Sequence, residues 1–303
     1  MAQPFKTRRK AFLGAIQPTS TPITLTDADG GLSIKTGAST ALTLVNNDRS
    51  DVARDTLSNV SSVMGSKAAS IDIEGEVIGS GDVTVVPELD VVLRASGLQR
   101  AVIKKVAVTA LAAPIERGVT LTGATSGNTG RVSAQGNTGD TELYIVEITG
   151  AFDAIENLEL ATVVVADTTA LGVDGGFEYR PVSSGMEWGT FSLWEDDYQK
   201  SIHSAMANIS FNFEASLIGT FTASILGPIT KDLVPDQWGD GTMPSICLSE
   251  VLPPVLNDAK MSVSDKDGTN RVTSLVGQTC TMDAGSAVTL RRDMNDPTGL
   301  KGS

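Results

Sequence analysis

Histidine is almost missing from this chain: His203 is the only one in 303 residues. A Ser–His–acid triad or a histidine-based metal centre would have to rest on that one side chain. No motif accompanies it, so a structural or surface role is expected. Cysteine is nearly as scarce. Cys247 and Cys280 allow one disulfide, but two unpaired thiols in a reducing compartment is the preferred reading. Basic residues are outnumbered, 23 Lys and Arg against 36 Asp and Glu, for a formal charge of −13. That balance argues against wrapping nucleic acid, which needs a basic face to release counterions. No apolar run approaches the ~20 residues of a membrane span. Neither a P-loop nor a dinucleotide fingerprint is present. No cofactor or metal is expected, and no enzyme activity.

What is present is β pattern. From Ile209 the odd positions read Ile209, Phe211, Phe213, Ala215, Leu217, Gly219, Phe221, Ala223 and Ile225. Ser210, Asn212, Glu214, Ser216, Thr220, Thr222 and Ser224 stand between them, so one face is apolar and the other polar. A single strand of this length would far exceed the usual ~17–20 Å, so a break is expected near Ala215–Gly219 with two long strands paired across it. A second such stretch puts Ile71, Ile73, Gly75 and Val77 on one side and Asp72, Glu74 and Glu76 on the other. Gly79–Asp82 should turn the chain and Val83–Val86 extend it. Pro87, the acids Glu88 and Asp90, the stripe Leu89–Val92–Leu93 and the stop at Gly97 then predict a short helix, with Leu98 packing back on it.

The remainder is less patterned. Met1–Ile16 reads as a basic arm, its apolar part too short for a signal segment. Residues 17–70 are rich in Thr, Ser, Asp and Gly and read as loop, with a short strand at Ala41–Val45. Gly-bearing turns at ~8–12-residue spacing across 115–180 suggest a small all-β unit inserted between Pro114 and Pro181. Asp265–Lys266–Asp267–Gly268 predicts a hairpin turn between Met261–Val263 and Val272–Leu275. It imitates part of a calcium loop, but Val263 and Ser274 stand where ligands are needed. Alternating carboxylates on a strand without histidine point to a solvated face, and Glu195–Asp196–Asp197 to an exposed turn.

Three stretches together resemble the major tail tube protein of long-tailed bacteriophages, a family whose fold is shared with the tube protein of type VI secretion. They are Ile73–Gly81 with Glu88–Leu98, then Glu178–Ser183, and then Leu193–Asp197 through Ser204–Asn208 to Phe221–Gly227. The resemblance implies a mainly β fold: a β-sandwich or barrel with one short flanking helix. The main domain would comprise 71–114 and 181–303, preceded by the arm and loops of 1–70 and interrupted by the small β-domain 115–180. It implies a structural subunit assembling as stacked, hexameric rings, the conduit for DNA ejection. Partners would be further copies of the chain and the tape-measure, tail-tip and tail-terminator proteins. DNA would pass through without sequence-specific binding, and the location would be the virion tail, assembled in the host cytoplasm.

Under that reading Asp72, Glu74, Glu76, Ser210, Asn212, Glu214, Thr220 and Thr222 are candidates for the bore lining. The outer wall is the competing placement. Phe5, Lys6, Arg8, Arg9 and Lys10 are candidates for an inter-subunit arm aimed at an acidic neighbour. The alternative function is a carbohydrate- or receptor-binding virion β-protein, with Trp188, Trp194 and Trp238 as stacking platforms; core or interface packing is the simpler role for those indoles.

Overall fold

A computed structural model of the chain describes residues 10–47, 63–229, 238–240, 243–245, 251–255, 263–264, 271–272, 279–283, 290–292 and 300–302, apart from positions 20, 27–28, 161–162, 196–197 and 215. The fold is mainly β, with one helix and two large antiparallel sheets among the described residues. Neither sheet closes into a barrel.

The strands of the first part are β1 (Lys10–Ile16), β2 (Gly30–Leu32), β3 (Ser39–Asn47) and β4 (Val63–Glu76). Helix α1 (Asp90–Ala95) follows, then β5 (Leu98–Ala107), β6 (Thr120–Gly123), β7 (Thr129–Val132) and β8 (Glu142–Glu147). Next come β9 (Asn157–Leu160), β10 (Val163–Asp167), β11 (Val173–Pro181) and β12 (Gly189–Glu195). The long β13 (Tyr198–Glu214) and β14 (Thr220–Pro228) make the central hairpin. β15 (Trp238–Asp240) and β18 (Thr279–Asp283) add to β13, while β16 (Val263–Ser264) pairs with β17 (Arg271–Val272) and β19 (Leu290–Arg292) with β20 (Leu300–Gly302).

The first sheet runs β2-β1-β12-β13-β14-β4-β3, and β13 is its pivot. Up to Ala205 it pairs with β12, with a register shift between Ile202 and Ala205; from Met206 onward it pairs with β14. The shift is a bulge in which Ser204 takes φ 44°. A bulge bends a strand and increases its twist, so one strand can serve both halves of the sheet. The side chain of Gln17 accepts the Ser204 N–H and holds the bulge from outside. One apolar core joins the halves: Phe12, Phe191 and Leu193 from one, Ile71, Ile73, Ile209, Phe221 and Ile225 from the other, and Val92, Leu93 and Ala95 of α1.

The hairpin break falls where the pattern put it. Ser216 turns with φ 66°, and the Leu217 N–H donates to the Glu214 carbonyl at 3.1 Å. The helix begins two residues later than expected, because Pro87–Leu89 form a turn closed by the Asp90 N–H on the Pro87 carbonyl. It ends at Ala95 with Ser96 as its C-cap; Gly97, just beyond, takes φ 83°, which suits a residue without Cβ, and Leu98 packs against the core as expected. Val83–Val86 form no strand. The Asp82 carboxylate captures the N–H and hydroxyl of Thr84 at 2.8 Å each, and a backbone held this way bends instead of extending. The segment 17–70 is also more ordered than its composition suggested: β3 covers nine residues and β4 starts at Val63. The expected turn at Asp265–Gly268 lies outside the described residues, with the pair β16–β17 on either side of it.

Gly75 is required by packing. A Cβ there would sit 2.5 Å from the Phe221 ring and 2.8 Å from the Ser33 carbonyl oxygen. Gly75→Ala should therefore lower stability by about 1–3 kcal/mol through overpacking. Urea unfolding of the variant checks this, and an unchanged midpoint would mean that the ring and the Ser33 backbone yield without cost.

The second sheet, β10-β9-β6-β7-β8-β5-β11, is drawn wholly from residues 98–181. It has its own core of Val106, Leu111, Leu121, Val132, Leu143, Ile145, Phe152 and Leu158. Strand β5 pairs with β8 and β11, so this sheet reaches further back along the chain than Pro114. A single bridge between Val108 and Thr168 ties its β10 end back to β5.

Candidate functional site

The polar positions of β13, β14 and β4 come together as three rows on one face. Ser210 lies opposite Thr222, and Thr222 opposite Glu74. Asn212 aligns with Thr220 and Glu76, and Asn208 with Ser224 and Asp72. Glu214 extends the face toward β18, opposite Thr279. The residues between these rows, Ile71, Ile73, Ile209, Phe221, Ala223 and Ile225, are all buried beneath the sheet. Alternation along each strand and antiparallel registry between strands leave no other arrangement once one face is apolar.

This face is open and hydrogen-bonded within itself. The Ser210 and Thr222 hydroxyls share a 2.7 Å bond, and Ser224 Oγ–H donates to Asp72 at 2.6 Å. Lys35 reaches in from the loop after β2 and donates to Glu74 at 2.6 Å. A shallow depression lined by Gly37, Asp72, Glu74, Asn208, Ser210, Thr222 and Ser224 lies at its centre. Asn208 Oδ1, at its edge, is buried without a hydrogen-bond partner. Sequence reading missed Lys35, which is remote in the chain and carries no local signal. It also missed Asn208 as a member of this face, although its even position in the alternation was a usable clue. Among the described residues no group of three or more His, Cys, Asp or Glu is arranged to hold a metal ion. The face offers hydroxyls, amides and carboxylates to solvent, and Asp72, Glu74 and Glu76 give it a negative character.

Other candidates are placed differently. Phe5, Lys6, Arg8 and Arg9 lie outside the described residues. Lys10 is no free arm residue. It opens β1, forms an ion pair with Glu195 at 3.2 Å and donates to the Ala38 carbonyl, all within its own chain. Glu195 in turn is held by Lys200 and Lys10. Burial opposes its charge, but the two ammonium groups outweigh burial and keep its pKa below the usual carboxylate value. Trp194 is 9% exposed and its indole N–H has no partner, so it offers no stacking platform. His203 is buried, and Cys280 lies in β18 opposite Phe213, while Cys247 falls outside the described residues.

Three buried carboxylates were not singled out from the sequence for what they do. Asp90 of α1 accepts from Tyr179 Oη–H at 2.7 Å and from Arg100 at 2.9 Å, joining the helix to β11 and β5 of the second sheet. Burial, and then the bond to Asp90 and its charge, push the Tyr179 phenol strongly upward. Arg94, beside Asp90 on the same helix, makes a two-pronged pair with Glu187 at 2.5 and 2.6 Å. Glu156 sits in a cradle of N–H groups from Ser126, Asp153 and Thr125 plus the Ser126 hydroxyl. Burial works against its charge, yet these donors hold its pKa below the ordinary range. Glu178 of β11, 6% exposed, accepts from Ser133 and Arg131. Here too burial opposes ionisation, and the hydrogen bonds and the Arg131 and Arg117 charges win.

No described helix is long and apolar enough to cross a membrane. No family model matches the chain, and no curated protein matches it either.

Proposed function

We propose that the chain is the structural subunit of a phage tail tube, assembling as stacked six-membered rings around a bore through which DNA leaves. The observation that carries this reading is the single continuous polar face of β13, β14 and β4. Asp72, Glu74 and Glu76 occupy its three consecutive rows, over an entirely apolar underside. A sheet covered on one side only suits a wall. Among the described residues, a lining with Asp72, Glu74, Glu76 and Glu214 against Lys35 repels phosphate and denies DNA the counterion release that would hold it.

The edges of the sheet support assembly. β3 pairs only with β4 among the described strands, and its sequence Ser39–Asn47 contains no charged residue, proline or glycine. Edges that must stay single are normally blunted by such residues, so this one suits pairing with a neighbouring copy. In this reading the main unit is a β-sandwich, and the 115–180 unit is an insertion carried beside the tube wall. Tape-measure, tail-tip and terminator proteins meet the tube inside and at its ends, in a virion tail assembled in the host cytoplasm.

Negative-stain microscopy of the purified chain should show rings or tubes; monomers alone at high concentration would end the proposal. Changing Asp72, Glu74 and Glu76 to Lys should leave tubes intact and slow or stall DNA ejection. Each new phosphate contact adds about 0.9 to the salt slope of DNA affinity, multiplied around the ring. Ejection at the normal rate from particles carrying the triple variant would put this face on the outer wall.

A further inference from the structure

Three guanidinium groups converge on one buried carboxylate in the second sheet. Arg131 bonds both oxygens of Glu178 at 3.2 and 3.3 Å, and Ser133 donates at 2.7 Å. Those partners already satisfy the carboxylate. Arg180 Nε and Arg117 Nη2 nevertheless stand 3.5 and 3.9 Å from its Oε1, with their side chains 52% and 65% exposed. Even with Glu116, the neighbour of Arg117, counted in, positive charge is in excess here, on a chain whose formal charge is −13. The place is also an open edge. Arg180 belongs to β11, the last strand of its sheet, and beyond the irregularity at Gly176 the run Phe177–Pro181 pairs only with β5 among the described strands. No described strand covers its outer side; Arg180 and Pro181 blunt this edge against indiscriminate pairing, and the Arg180 charge favours an acidic strand over any other.

We propose that this edge, with Arg117 and Arg180, receives an extended acidic segment of a second copy of this chain, added as a strand with a carboxylate seated between the two guanidiniums. The proposal rests on the reading above that the chain assembles with itself. Charge complementarity selects the occupant. Copies this acidic repel one another over most of their surface, and an exposed cationic edge is where that repulsion reverses. Arg–carboxylate pairing also fixes geometry, since the planar fork accepts two oxygens at once.

Sedimentation and negative-stain microscopy of the full chain, at about 0.1 M and about 1 M salt, test this with R117E/R180E and the milder R117Q/R180Q. The glutamine pair removes charge without placing new acids against Glu178, and circular dichroism confirms that each variant is folded. The charge-swapped variant should need at least ~10-fold more protein to associate at the lower salt, the glutamine variant less. The gap should close at the higher salt, where the Debye length falls from ~10 Å to ~3 Å. Rings forming equally well in every variant would overturn this inference and leave the tube reading standing. Arginine-dependent dimers without rings would support the inference and sink the tube. A wild-type chain that never self-associates would end both. Duplex DNA binding that depends on Arg117 and Arg180, with association unchanged, would assign the patch to nucleic acid and overturn the proposal.

Discussion

Replacing Asp90 with alanine should lower the unfolding free energy by about 3 kcal/mol, the lower end of the ~3–5 kcal/mol typical of breaking a buried ion pair. The Asp90 side chain is 8% exposed and its carboxylate is the common acceptor for Tyr179 and Arg100, with Arg94 at 3.5 Å. Its loss strands a half-buried phenol and a guanidinium whose side chain is 31% exposed; that partial exposure is why the lower end applies. Tyr179→Phe deletes one hydrogen bond and should cost only about 1 kcal/mol. Because Asp90 lies on α1 while its partners lie on β5 and β11, the alanine variant should also loosen the second sheet from the first. Hydrogen exchange would report this as earlier opening of Leu98–Ala107 and Val173–Pro181. Urea unfolding gives the energy, and a loss below about 1 kcal/mol would mean that Arg100 and Tyr179 find water instead and the joint is held by apolar packing.

Glu178→Ala should be comparably damaging near neutral pH, about 2–4 kcal/mol, because Arg131 stays buried at 12% exposure without its partner. The effect carries a pH signature. The folded-state pKa of Glu178 lies below its ordinary value, so the stabilisation is fully present above the ordinary carboxylate range and is lost as pH falls through the folded pKa. Glu156 and Glu195 shift in the same direction, so acid should erode stability only below the usual range, about pH 4. Urea midpoints of wild type and variant should therefore differ most at about pH 7 and converge toward about pH 3. The same gap at both pH values would show that the carboxylate acts through its shape and not its charge.

How much could be read beforehand depended on the range of the interaction. The hairpin of β13 and β14 was legible because its alternation runs almost unbroken, and a face assignment needs only nearest neighbours. Helix α1 was legible because Pro87 and Gly97 act through their own backbones. β3 was legible only in its middle, as the short strand Ala41–Val45, and the first half of β4 was missed, since Thr, Ser and Asn without clean alternation resemble loop until a partner strand supplies the ladder. Val83–Val86 failed in the other direction, its β-branched residues overruled by the Asp82 carboxylate two positions away. Nothing local said that β5 would join β8 and β11 instead of the sheet that holds β4.

For the candidate face, the residues were readable and their assembly was not. Alternation alone determined that Asp72, Glu74 and Glu76 share one side of a strand, and that Ser210, Asn212 and Glu214 share another, because strand side chains repeat every two residues whatever the fold. Register alone decided that these strands are neighbours through β14, that Glu74 meets Thr222 and Lys35, and that Asp72 meets Ser224. The pairing of Glu178 with Arg131 and of Asp90 with Tyr179 belongs with these, at separations of 47 and 89 residues. Local geometry is written in the backbone and follows from each residue's immediate neighbours. Which distant carboxylate a cation finds is settled only when burying the apolar faces brings the strands together, and that choice minimises the whole chain's free energy at once.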